Sequence, residues 1–273
     1  MYGAMIGDIV GSKYEFYAQK TKSFPLFSKG CCYTDDTVLT VAVARALIWH
    51  HSGGSFEEAL VRSFRQAVAN APKAGYGSGF LAWADSAEPQ PYNSCGNGSA
   101  MRVSPCGLYA VTLDEALELA ERSAAVTHNH PEGIRGAQAT AAAIFLARSG
   151  WSKDDIGGYI CDHFYLLSRT LDEIRPDYSF YETCQKSVPQ ALVCFLESTD
   201  YEDAIRNAVS LGGDSDTLAA IAGSVAWAYY GRDGLTPQMQ ALRKQAATFL
   251  PEDFIKTAAA LEQICKMRPI VGD

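Results

Sequence analysis

The stretch GGDSDTLAAIAGSVAWAYY, residues 212–230, opens on an acid-rich turn and runs on as a segment apolar or small on nearly every helical face. Such a segment belongs in a core, and its Ala, Gly and Ser residues permit close approach by a neighbouring helix. A second segment has the same construction: TDDTVLTVAVARALIWH, residues 34–50, again places two carboxylates and two threonines ahead of an apolar run. Other segments with helical periodicity are 56–70, 113–126, 134–148 and 188–197. Alternating Val, Ile and Thr runs of the kind a sheet requires are few. Asp114 and Glu115 fall in a first turn, Pro131 stands near a helix start, and Gly150 and Gly231 follow last turns. The expectation is an all-α fold, a compact orthogonal helical bundle, with residues 1–273 as a single domain. Most connections read as short, but 71–98, rich in Gly, Pro and Asn, reads as a long functional loop.

A formal charge of -8 gives no continuous basic field for a phosphate backbone, which disfavours general nucleic-acid binding and leaves room for a nucleotide in a local pocket. No apolar run reaches the roughly 18 residues that a membrane span needs. The opening stretch MYGAMIGDIVG has no basic leader and is interrupted by Asp8, so the expected location is cytoplasmic. The eight cysteines are scattered without a C-x-x-C pair, as expected of reduced thiols that act mainly as small core residues.

Helix capping is one reading of the two acid-led starts, since Asp, Ser and Thr are preferred N-caps and a negative charge there suits the helix dipole. One Asp suffices for a cap. Two carboxylates at each of two buried starts would bring four like charges together near the core, at a cost that cations offset. Oxygen-only ligands suit a hard ion such as Mg²⁺ or Mn²⁺ better than zinc. The spacing matches neither an EF-hand loop nor an H-E-x-x-H signature.

Gly7-Asp8 and Gly11-Ser12, TDDT at 34–37, GNGSAMR at 96–102, Thr127-His128 and GGDSDT at 212–217 occur in that order, and together the sequence resembles the ADP-ribosylglycohydrolase family. The resemblance implies that family's all-α fold and a metal-dependent hydrolase that cleaves the bond between ADP-ribose and an acceptor. It also implies two Mg²⁺ (or Mn²⁺) ions, held by Thr34, Asp35 and Asp36 on one side and by Asp214, Asp216 and Thr217 on the other. The implied substrate is an ADP-ribosylated protein or a small ADP-ribose conjugate, and the product is ADP-ribose. Glu15, in GSKYEF, matches the stretch where a family glutamate reaches over the ribose from a mobile loop, and takes an accessory catalytic role. Asp36 and Glu15 are the candidate bases for the attacking water.

Gly96, Asn97, Gly98 and Ser99 are expected to form a loop that opens a helix and offers backbone N–H groups to a diphosphate, with Met101 extending the match. Arg102 has two readings, a phosphate contact or a buried ion pair. His128 is expected to touch the ligand, His130 to cap or serve a loop, and Asp8 to cap or brace a buried turn near the metal site. Family acceptor hydrolases resemble S-Y-G-N-G where this chain has Ser94-Cys95-Gly96-Asn97-Gly98, so the aromatic candidates for adenine are Tyr92 and Tyr76 instead. Two rivals use the same residues differently: a two-metal phosphohydrolase of the diphosphate, and a noncatalytic ADP-ribose-binding or structural protein.

Overall fold

Both acid-led segments are helices, α2 (Asp35–His51) and α13 (Ser215–Tyr230), in a computed structural model that describes residues 1–271. Gly272 and Asp273, the end of the expected domain, lie outside the described residues. The other helices are α1 (Tyr2–Gly11), α3 (Phe56–Asn70), α4 (Ser78–Asp85), α5 (Gly98–Met101), α6 (Ser104–Tyr109), α7 (Leu113–Ala125) and α8 (Pro131–Arg148). They continue through α9 (Lys153–His163), α10 (Leu171–Ile174), α11 (Cys184–Leu196), α12 (Tyr201–Leu211), α14 (Pro237–Ala246) and α15 (Glu252–Met267). Among the described residues there is no sheet, only an isolated bridge between Gly96 and Thr183. No helix among the described residues is long and apolar enough to cross a membrane.

Helix α13 is the axis of the core: every residue from Ser215 to Ala228 is buried, and α1, α8, α11 and α12 pack around it. The tightest of these contacts is with α1. A Cβ added at Gly7 would lie 2.0 Å from the Ala219 carbonyl oxygen, and one added at Gly11 would lie 2.4 Å from that of Ser215. Glycine is therefore required at both positions for the backbones to approach this closely. Since residue 7 meets residue 219 and residue 11 meets residue 215, the two helices are antiparallel. The end of α1 delivers the short 3₁₀ turn Ser12–Tyr14, and then Glu15, to the start of α13.

Four expectations need correction. Asp8 lies inside α1, not in a turn; the glycines that lower local helix propensity are the ones that let α1 dock. The 71–98 segment contains α4, organised by stacking of Phe80 on Tyr76 and on Trp83, with centroids 5.7 and 5.5 Å apart. A second irregular stretch, residues 15–34, exceeds the expectation of short connections. It is tied down by Lys20 Nζ, which donates to the carbonyls of Arg175, Tyr178 and Leu211. Helix α11 starts a turn before the expected 188, leaving Pro189 inside it. All eight cysteines are unpaired and four are buried.

Candidate active site

Capping consumes little of the acidic sequence. At α2 the cap is Thr34, whose hydroxyl oxygen accepts from the Asp36 N–H at 3.3 Å. At α13 the N-cap residue Asp214 makes no side-chain cap bond. Its Oδ2 instead accepts from Asn97 Nδ2 at 2.7 Å, and the same amide nitrogen reaches Ser187 Oγ at 3.1 Å. Asp8 reaches across from α1: its carboxylate accepts from Thr34 N at 2.9 Å, Thr34 Oγ1 at 2.7 Å and Thr37 N at 3.1 Å. By taking the Thr34 hydroxyl proton, Asp8 leaves the lone pairs of Thr34 Oγ1 to face its neighbours, including Asp36 Oδ2 at 3.4 Å.

The carboxylates converge. Glu15, Asp214 and Asp216 each place an oxygen within 4.8 Å of the others. Asp36 Oδ2 accepts from Thr217 Oγ1 at 3.3 Å, whereas its Oδ1 is buried without a hydrogen-bond partner among the described residues. An orphaned buried carboxylate oxygen is costly. Burial, followed by repulsion from Asp216 and Asp8, pushes Asp35 up to about 8 and holds Asp36 well above the usual carboxylate range. Asp216 is likewise raised well above it, by burial and then Asp214. Burial also lifts Asp8 and Asp214 to about 6, and lifts Glu15 to about 8 with help from Asp216. A set of hard oxygen donors held against mutual repulsion, one oxygen of which lacks a partner, fits a hard divalent cation.

These residues line a cavity of about 340 Å³. Of the residues singled out in the sequence, Glu15, Asp35, Asp36, Tyr92, Gly96, Asn97, Gly98, Met101, Arg102, His128, Asp214, Asp216 and Thr217 line it. Thr34 sits behind its neighbours on Asp8, and Ser99 is fully buried with its hydroxyl donating to the Gly133 carbonyl at 2.7 Å. The Gly96-Asn97-Gly98 turn does open a helix, the single turn α5. Two of its N–H groups are already engaged, that of Gly96 with Ser94 Oγ and that of Asn97 with the Glu182 carbonyl.

Tyr92 lines the cavity 5.9 Å from the His128 ring, while Tyr76 is buried behind it against Phe80. His130 caps α8 by accepting from the Glu132 N–H. Arg102 makes no ion pair among the described residues; its guanidinium lies over the Phe64 ring at 4.3 Å. Phe180 lines the cavity as well, and sequence reading missed the contribution of Gly75, Gly77, Ser78, Gly79 and Phe80, which form one side of the opening beside Asp35, and of Glu182. For the first group a signal existed: they lie in the Gly-rich loop already marked as functional. For Glu182 none did.

A sequence model of the family described as ADP-ribosylglycohydrolase matches residues 1–268. The chain is 27% identical to the ADP-ribosylhydrolase ARH3 of Homo sapiens, over 87% of this chain and 86% of that protein. It is 26% identical to the ADP-ribosylarginine hydrolase Tri1 of Pseudomonas putida (strain GB-1), over 87% of this chain and 71% of that one. Among solved structures, a chain of an ADP-ribosylglycohydrolase-related protein complex has the same fold, with a TM-score of 0.72 at 23% identity, covering 97% of this chain and 95% of that one.

Proposed function

This chain belongs to the ADP-ribosylglycohydrolase family, and from that premise we propose that its acidic cavity holds two Mg²⁺ or Mn²⁺ ions and releases ADP-ribose from a mono-ADP-ribosylated side chain or a small ADP-ribose conjugate. The protein is a hydrolase of the glycosidic bond between ADP-ribose and an acceptor. What carries the assignment to this cavity is the meeting of Glu15, Asp36, Asp214 and Asp216 in the space that also contains the Gly96–Gly98 turn and His128.

The ions would be held by Asp35, Asp36 and Thr34 from α2 and by Asp214, Asp216 and Thr217 from α13, with Asp8 and Asn97 orienting Thr34 and Asp214. When bound, such ions polarise substrate oxygens, orient a ribose and lower the pKa of water. The protein's own share is positional and protonic. Glu15 is half-buried at the end of the turn that α1 delivers, and it faces the cavity, whereas Asp36 is buried among the threonines. Placement favours Glu15 as the group that takes the proton of the attacking water at the anomeric carbon, with Asp36 fixed as a ligand. The turn at Gly96–Gly98 and His128 would hold the diphosphate, and Tyr92 offers the aromatic face available to the adenine.

The test is mass-resolved product analysis with Mg²⁺ on arginine-, serine- and acyl-linked ADP-ribose, with an EDTA control. Free ADP-ribose that disappears with EDTA is expected, and the substrate that yields it identifies the linkage. AMP as the product would move the assignment to diphosphate cleavage, and turnover unchanged in EDTA would remove the metals.

A further inference from the structure

Arg102 is fully buried and forms no ion pair among the described residues. An isolated buried charge is costly, and here two aromatic rings stand in for a carboxylate: the guanidinium carbon lies 4.3 Å from the centroid of Phe64 and 5.8 Å from that of Phe80. Nε and Nη1 have no hydrogen-bond partner among the described residues. Nη2 donates to the Ser123 carbonyl at 3.3 Å and to Thr127 Oγ1 at 2.7 Å.

The distances along this chain favour one arrangement of its protons. Arginine only donates, so Thr127 Oγ1 accepts from it. The single hydroxyl proton of Thr127 has two neighbours, the Ala124 carbonyl at 3.4 Å and His128 Nδ1 at 2.7 Å. The Ala124 oxygen already accepts two backbone N–H groups, from Thr127 at 3.0 Å and from His128 at 2.7 Å, which fills both of its lone pairs. The hydroxyl proton therefore goes to His128 Nδ1, and the ring's own proton resides on Nε2. That nitrogen has no partner in the protein among the described residues, and it faces the glycine turn: a Cβ added at Gly98 would lie 3.2 Å from it, and one at Gly96 3.5 Å.

We infer that Arg102 is a positioning residue that acts through Thr127 to fix His128 as the Nε2–H tautomer, so that the ring presents a donor to an anionic oxygen of the bound ligand. Burial and the adjacent Arg102 charge hold the His128 pKa well below its usual range, so the ring stays neutral and the arrangement does not depend on its titration. Arg102 itself, although lowered by burial, remains cationic at about 10. In a cavity that also holds six carboxylates, this relay marks the part suited to a diphosphate. Only the identity of that ligand rests on the function proposed above.

Two measurements test the inference. The first is the ¹⁵N spectrum of the imidazole rings in the intact, ligand-free protein, which has five histidines. The wild type is expected to show the Nε2–H pattern for His128; an Nδ1–H pattern would overturn the inference, and this reading needs no variant to fold. Thr127→Val, which keeps the shape and removes the hydroxyl, is expected to shift His128 toward the Nδ1–H form, and Thr127→Ser to restore the wild-type pattern. A valine variant that retained the Nε2–H pattern would remove the role of Arg102. The second is ADP-ribose binding in Mg²⁺, where Thr127→Val is expected to weaken Kd about tenfold, the loss of a hydrogen bond to a charged group, and Thr127→Ser to recover it. An unchanged Kd would sink the ligand contact. A protein that released AMP or nothing would contradict the proposed function while leaving the tautomer result intact.

Discussion

Thr217 Oγ1 donates to Asp36 Oδ2 across 3.3 Å, joining residues 181 positions apart in the chain. The contact fixes the start of α13 against the start of α2, with Glu15 brought alongside by the antiparallel docking of α1. Hydrogen bonding within the cluster compensates only part of its charge, since Asp36 Oδ1 has no partner among the described residues. Opposed carboxylates of this kind should make the protein depend on a cation for stability as well as for chemistry.

The pH dependence of the metal-free protein follows in sign. Asp8 and Asp214 are raised to about 6, Asp35 to about 8, and Asp36 and Asp216 well above the usual range. For an acid whose folded pKa is raised, the stabilising contribution is full below the unfolded value near 4 and is lost as pH rises through the folded value. In EDTA the melting temperature is therefore expected to fall between about pH 4 and about pH 8, and Mg²⁺ to reverse the trend at the upper end. Asp36→Asn should melt higher than wild type in EDTA at pH 8, by at least the roughly 2–4 °C that 1 kcal/mol produces in a chain of about this size, and should gain less from Mg²⁺. A metal-free protein that grew more stable over that range would contradict the packing of charges described here.

Asn97 holds Asp214 Oδ2 at 2.7 Å. Asn97→Ala is expected to lower Mn²⁺ affinity by about 10- to 100-fold, the usual cost of losing a group that orients a ligand, with a far-ultraviolet spectrum like that of wild type. Isothermal titration would measure it, and an unchanged affinity would mean that Asp214 needs no such support.

Asp8 accepts from three donors on the α2 start. In Asp8→Ala all three donors lose their acceptor in a buried site. Denaturant unfolding should show a loss of about 1–3 kcal/mol in the metal-loaded protein. Equal stability would mean that the α2 start holds without this brace.

Glu15→Gln is expected to reduce turnover by at least about 100-fold, the lower end for a general base or acid, while ADP-ribose still binds. Single-turnover kinetics on whichever substrate the product analysis identifies would check it. Full turnover would transfer the proton step to Asp36.

The core of this fold was legible because α2 and α13 announce themselves: acid, hydroxyl, then an apolar run bounded by a clear stop. Helix α1 was harder, because Gly3, Gly7 and Gly11 lower helix propensity and become sensible only against the α13 backbone. The ends of the site carried in short motifs, Asp35-Asp36 and Asp214-Ser215-Asp216, could be read without coordinates. The surroundings of Arg102 could not, since Phe64 comes from α3, Phe80 from α4 and Thr127 from the connection between α7 and α8. The same holds for the Asn97 side chain, whose bond to Asp214 no local pattern announces.

The most direct measurement is Mn²⁺ titration of the EDTA-stripped protein, followed by electron paramagnetic resonance. The expected result is two Mn²⁺ per chain with the exchange-coupled signal of ions roughly 4 Å apart, abolished together in Asp36→Asn and Asp216→Asn. Binding that leaves the ions uncoupled, or that survives both substitutions, would contradict a single site built from the starts of α2 and α13.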